Sequence, residues 1–162
     1  MNFKGNQMAI KNILIVEDES PKYEHIRSFF IDMIVDVNIV QSRSVSSAID
    51  YLDDLLPDLL ILDMSLPTFD ISDQETGGRP QGFGGIEILR NMYLEEKFCP
   101  TVVVTGYPSF LKESGEMVGL NELRVELLGK YDDFLKDVLH FNTTTNEWKN
   151  EMYRIISEHR LV

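Results

Sequence analysis

Three short apolar runs, each closed by polar residues, constrain this chain more than any other feature. Ile13-Leu14-Ile15-Val16 stops at Glu17-Asp18-Glu19, Leu59-Leu60-Ile61-Leu62 stops at Asp63, and Thr101-Val102-Val103-Val104 stops at Thr105-Gly106. A short run without polar alternation reads as a strand buried on both faces. Such strands belong to a parallel sheet with helices on each side, so the chain should be a doubly wound α/β domain.

The segments between these runs have the period of helices. Ser20-Pro21 offers an N-cap candidate and a first-turn proline, and Tyr23, Ile26, Phe29, Phe30 and Met33 follow at helical spacing, predicting a helix over 21–34. Val37 to Val40 reads as a further strand. Ser44 can cap a helix bearing Val45, Ala48, Ile49, Leu52 and Leu56, ended by Pro57-Asp58. A helix should run from Ile86 to about Glu96. Leu120, Leu123, Leu127 and Leu128 suggest another, although Leu123 to Leu127 also alternates as a strand would. Val138 to Phe141 reads as the last strand. Asn142 or a nearby threonine then caps a helix with Trp148, Met152, Ile155 and Ile156. The expectation is five strands alternating with five helices in one domain over 10–162, after a polar leader, 1–9.

The chain's 162 residues suit one domain. Fifteen Lys+Arg against 27 Asp+Glu leave a net charge of −12, which repels phosphate backbones and anionic lipid. Direct nucleic-acid or membrane binding is therefore not expected. One cysteine, Cys99, excludes an internal disulfide framework and a Cys-rich zinc site. No apolar run approaches the ~20 residues of a membrane span, and the leader has no signal-peptide core, so a cytoplasmic location is expected.

In doubly wound sheets the site lies beyond the carboxyl ends of the strands, where their order reverses. Glu17-Asp18, Asp63 and Thr105 should gather at that rim. Converging carboxylates repel unless a cation joins them, and carboxylate, carbonyl and water ligation suits Mg²⁺. A carboxylate can also accept a phosphoryl group as an aspartyl phosphate. A single acid after a strand is commonly a turn residue; three such strand ends in one chain are harder to explain that way.

These residues resemble the receiver domain of two-component response regulators, a flavodoxin-like fold. Ile13 to Pro21 is similar to the family's first strand and acidic pair, and Pro57 to Pro67 to its phosphoacceptor segment. Gly85-Ile86-Glu87-Ile88-Leu89 resembles the start of the following helix, and Thr101 to Gly106 the fourth strand with its switch hydroxyl. The resemblance covers about 10–67 and 84–106. It implies that Asp63 accepts a phosphoryl group from a sensor histidine kinase or phosphotransfer protein. It also implies that Asp18 and Glu17 bind Mg²⁺ with Asp63, that Ser65 offers its backbone carbonyl to the metal, and that Thr105 is the switch. Small Gly106 would leave the acceptor accessible. Signalling would proceed through contacts with a downstream protein, and a homodimer is compatible with the family's habits.

Three departures stand out. An insertion over 68–83, rich in glycine, sits where ordinary strand–helix connections run about 2–6 residues. It could gate the acceptor or hold a partner, and Asp70, Asp73 and Glu75 could approach the metal; a solvated loop is the plainer reading. The stretch from Pro108 to the last strand is longer than the family's. The family's lysine after the fifth strand is either Lys136 or replaced by Phe141, the better strand favouring Phe141; Lys130 is a remote third choice.

Other features yield less. Gly77 to Gly85 lacks the Gly-Lys-Ser/Thr ending of a phosphate-binding loop. His25, His140 and His159 have no metal-ligand spacing. Three functional readings therefore stand: a phosphoacceptor receiver without enzymatic activity, a degenerate receiver acting as a phosphorylation-independent interaction module, and an aspartate-nucleophile phosphatase. The last normally wants a second acid two residues after the nucleophile, where this chain has Ser65.

Overall fold

A computed structural model describes residues 10–70, 83–111 and 114–159. Its main sheet has five parallel strands: β1 (Asn12–Val16), β2 (Asn38–Ser42), β3 (Leu59–Leu62), β4 (Thr101–Thr105) and β7 (Leu135–His140). They lie in the order β2-β1-β3-β4-β7. The apolar runs explain the centre of this order: β1, β3 and β4 carry them, and each of these has a strand on both sides.

Side chains alternate between two cores. Leu14, Val16, Leu60, Leu62 and Val103 face α2 (Val45–Asp54), α3 (Gly84–Leu94) and α4 (Leu120–Lys130). Ile13, Ile15, Leu59, Ile61, Val102 and Val104 face α1 (Ser20–Met33) and α5 (Glu147–Glu158). The doubly wound expectation holds, and the alternating segment at 123–127 is helix.

Several ends differ from the sequence expectation. Ser20 lies inside α1, and Glu19 occupies the cap position with no side-chain cap bond. The Glu19 N–H is instead bonded by Glu17 Oε1 at 3.0 Å, which draws the helix start towards the rim. Ser44 does cap α2, its hydroxyl accepting from the Ser47 N–H at 3.1 Å. Neither Asn142 nor a threonine caps α5. Asn142 Oδ1 accepts from the Thr144 N–H and hydroxyl in a local turn, and Asn146 precedes the helix.

The longer segment after β4 contains an antiparallel hairpin, β5 (Ser109–Leu111) and β6 (Met117–Gly119), outside the main sheet. Phe110 and Val118 are its buried pair. Phe110 packs against Phe83, the last residue before α3, with ring centroids 5.7 Å apart. The hairpin thus touches the point where the 68–83 segment re-enters the fold. Residues 71–82 of that segment, with Asp73 and Glu75, and the polar leader lie outside the described residues.

Candidate acceptor and metal site

The sheet order reverses between β1 and β3: the chain passes from β1 outward to β2, then crosses back to β3. Glu17-Asp18 leaves β1 and Asp63 leaves β3 on either side of that reversal. The two ends are tied together by the Asp63 N–H donating to the Val16 carbonyl at 3.0 Å. Glu17, Asp18 and Asp63 each place a carboxylate oxygen within 4.8 Å of the others. Glu17 and Asp63 are buried and Asp18 is half-buried, so the cluster has one wet side.

Burial raises all three carboxyls above their ordinary range. For Glu17 it is the largest influence and, opposed by the Lys22 cation, lifts the group to about 7. Asp63 is pushed up by burial against the same cation, and Asp18 by burial with the nearby negative charge of Asp63 adding to it. Glu17 Oε2 is buried and makes no hydrogen bond, although the Lys22 ammonium approaches it at 2.6 Å as an ion pair. Hard oxygen donors, excess negative charge and an unbonded buried carboxylate oxygen form a donor set that fits a divalent cation such as Mg²⁺.

The loop after β3 is shaped by close backbone packing. Ser65, half-buried, follows Asp63 by two positions in a turn pinned by the Gly85 N–H donating to the Met64 carbonyl at 3.0 Å. From there the chain runs along the start of α2, where Val45 and Ser46 donate their N–H groups to the carbonyls of Pro67 and Thr68. Asp70, a candidate to approach the metal, is drawn the same way: its Oδ1 accepts from the Ser47 hydroxyl at 3.0 Å, and it is not in the carboxylate cluster.

Thr105 is fully buried at the end of β4, and its hydroxyl accepts from the Tyr107 N–H at 3.3 Å. Tyr107 is half-exposed and leans on Phe110 of the hairpin. A side chain added at Gly106 would meet nothing within 4 Å, so the space there is open.

The uncertain lysine is resolved by the register of β7. Asp137 pairs with Val102 and His140 with Thr105, which puts Lys136 at the amino end of the strand, remote from the rim. Lys130 lies in α4 over the Tyr131 ring. Phe141 directly follows the strand, its N–H donating to the Thr105 carbonyl at 2.7 Å. The cation that sequence reasoning missed is Lys22, on the first turn of α1. Its ammonium lies 2.9 Å from Asp63 Oδ1 and 2.7 Å from the Val104 carbonyl. Pro21-Lys22 next to an acidic run was the available signal, but a lysine on a helix normally points to solvent.

No family model matches the chain. Among curated proteins it is 24% identical over 148 residues to the Detocs response regulatory protein DtcB of Enterobacter cloacae, covering 90% of this chain and 98% of the relative. DtcB of Vibrio alginolyticus is 31% identical over 101 residues, 59% of this chain and 66% of that protein. Among solved structures, a CheY-like receiver domain protein from Methanospirillum hungatei superposes with a TM-score of 0.59 at 16% identity, over 94% of each chain. The fold is that of a response regulator receiver domain. The same receiver fold is seen in the phosphorylated cyanobacterial phytochrome response regulator RcpA (TM-score 0.61, 20% identity, 92% of this chain and 93% of that one). It is seen again in TrrA of Thermotoga maritima in complex with Mg²⁺-BeF (0.58, 18%, 90% and 99%). The site lies at the receiver sheet's switch point. Among the described residues no helix is long and apolar enough to cross a membrane.

Proposed function

We propose that this receiver domain accepts a phosphoryl group on Asp63, with Mg²⁺ held by Glu17, Asp18 and Asp63 and by the Ser65 backbone carbonyl. A histidine kinase or phosphotransfer protein would be the donor, and the output would be contacts with another protein inside the cell. The observation that supports this most is the three-carboxylate cluster at the reversal of the sheet, with a buried Glu17 oxygen lacking a hydrogen bond. Phosphorylated RcpA and Mg²⁺-BeF-bound TrrA share the fold, which favours the same chemistry here.

In this reading the β3 turn presents the Asp63 carboxylate to the donor, and burial keeps water from competing for the phosphorus. Mg²⁺, when bound, would neutralise charge on the transferring oxygens. Thr105 would answer the new charge by giving up its bond from the Tyr107 N–H and donating its hydroxyl to a phosphoryl oxygen. Ser65, rather than a second acid, stands two residues after Asp63, so a stable acceptor is favoured over phosphatase turnover.

Incubation with acetyl phosphate and Mg²⁺, followed by intact mass measurement, tests this. One phosphoryl group should be gained and Asp63→Asn should abolish the gain; a gain that survives Asp63→Asn refutes the assignment. A second reading, a phosphorylation-independent interaction module, draws on the Lys22 ammonium already bridging Glu17 and Asp63. No gain of mass in the native chain would favour it.

A further inference from the structure

Lys22 is an unusual lysine. Only 5% of its surface is exposed, and a buried ammonium is tolerated only where its charge and its donors are satisfied. An ammonium has three donors, and here it donates to Asp63 Oδ1 at 2.9 Å and to the Val104 carbonyl at 2.7 Å, while Glu17 Oε2 lies 2.6 Å away as an ion-pair partner. Burial works against its charge, but the two carboxylates overcome this and keep it protonated. Among the described residues, no other lysine or arginine forms an ion pair with Glu17 or Asp63.

The strand end that could have delivered a cation carries Phe141 instead. Its ring lies 5.9 Å from the Lys22 ammonium and packs at a tilt against Trp148 of α5 and His25 of α1. The aromatic residue therefore roofs a cation delivered from the neighbouring helix.

We propose that Lys22, carried by α1, is the cation of the acceptor site, holding Asp63 Oδ1 before transfer and binding a phosphoryl oxygen after it, while Phe141 packs over it. This rests on the acceptor reading given above. Because Lys22 occupies Oδ1, attack falls to Asp63 Oδ2. Its lone pair forms the new O–P bond, and the P–N bond of a phosphohistidine or the P–O bond of an acyl phosphate breaks with its electron pair leaving on the donor. The ammonium keeps its proton and faces the added negative charge. Its present bond to the Val104 carbonyl, one residue before Thr105, means that a shift towards the phosphoryl group alters hydrogen bonding at the end of β4.

The test compares the native chain with Lys22→Met for Mg²⁺ affinity by calorimetry and for the rate of phosphorylation by acetyl phosphate at saturating Mg²⁺. Lys22→Met should slow phosphorylation on the order of a hundredfold, the loss seen when one charge-stabilising donor is removed. It should also tighten Mg²⁺ binding by about fivefold, since a positive charge has left the carboxylates. This opposite movement distinguishes the role from a structural one, which would not slow transfer while improving the metal site. A folded Lys22→Met that is phosphorylated at the native rate overturns the proposal and leaves the acceptor reading intact. A native chain that gains no phosphoryl group overturns the acceptor reading, and this proposal with it. Should Lys22→Met not fold, NMR of the lysine side chains in the native chain decides. Mg²⁺ with beryllofluoride should shift the Lys22 signals more than those of any other lysine, and unmoved Lys22 signals in beryllofluoride-bound protein overturn the proposal.

Discussion

Gly85 stands directly behind Asp63: a Cβ on Gly85 would lie 2.4 Å from the Asp63 carbonyl oxygen and 2.9 Å from the Met64 Cα. Both are backbone atoms, so neither can turn aside. Helix α3 can approach the β3 turn this closely only with glycine at this position. Gly85→Ala should therefore cost about 1–3 kcal/mol of stability and weaken Mg²⁺ binding by displacing the turn that carries Asp63. Urea unfolding and calorimetric Mg²⁺ titration measure the two effects. Gly106→Ala, whose Cβ would meet nothing, should stay within about 0.5 kcal/mol of the native chain.

The carboxylate cluster should make metal-free stability fall as pH rises. Glu17 titrates at about 7 in the folded chain against an ordinary 4.5, so the folded state holds a proton that the unfolded chain has released between those values. Its contribution is most favourable below about 4.5 and is lost towards 7, a total on the order of 3 kcal/mol. Mg²⁺ affinity should run the other way, rising over the same range because the metal needs ionised carboxylates. Urea unfolding between about pH 5 and pH 8, with and without Mg²⁺, checks both signs, and Glu17→Gln should flatten both slopes.

Thr105→Val removes the buried hydroxyl that accepts from the Tyr107 N–H. Stability should drop by about 1 kcal/mol. Phosphorylation should persist, because Asp63 and its carboxylate neighbours are untouched. The Tyr107–Phe110 contact links this position to the hairpin, so NMR shifts across 109–111 and 117–119 on adding beryllofluoride should largely vanish in the variant.

Asp137 is a buried acid outside the site, bonded by the Val138 N–H at 2.8 Å, Arg124 Nε at 2.7 Å and Arg154 Nη2 at 3.3 Å. It joins β7 to α4 and α5. Asp137→Ala should destabilise by about 2–3 kcal/mol in urea unfolding, since charged hydrogen bonds are lost and a buried N–H is stranded. Arg124→Ala and Arg154→Ala should each cost below about 1 kcal/mol, because both guanidiniums are well solvated.

The sheet and its rim were legible in the sequence because their signals are local. An unbroken apolar run such as Leu59 to Leu62 has no soluble face and must be covered on both sides; the acid after it must then emerge at the strand's end. That reasoning placed Asp63, Asp18, Glu17 and Thr105 on one edge without any knowledge of the strand order. The short strands of the hairpin were not legible: Ser109 to Leu111 and Met117 to Gly119 are three residues each, too brief for a period to show.

The site's cation shows where sequence reasoning stops. The family resemblance pointed to the end of the last strand, and the register of β7 against β4 puts Phe141 there and Lys136 at the far end. The one local signal, Lys22 just after Pro21 and the acidic run, does not separate it from a solvated helical lysine. Its role depends on α1 packing on the β1–β4 face, so that its first turn overhangs the space between Glu17 and Asp63. The sequence determined which edge of the sheet would hold the acids, since burial of each strand follows from its own residues. Only the tertiary structure decided which ammonium answers them, since that depends on how elements distant in the chain meet.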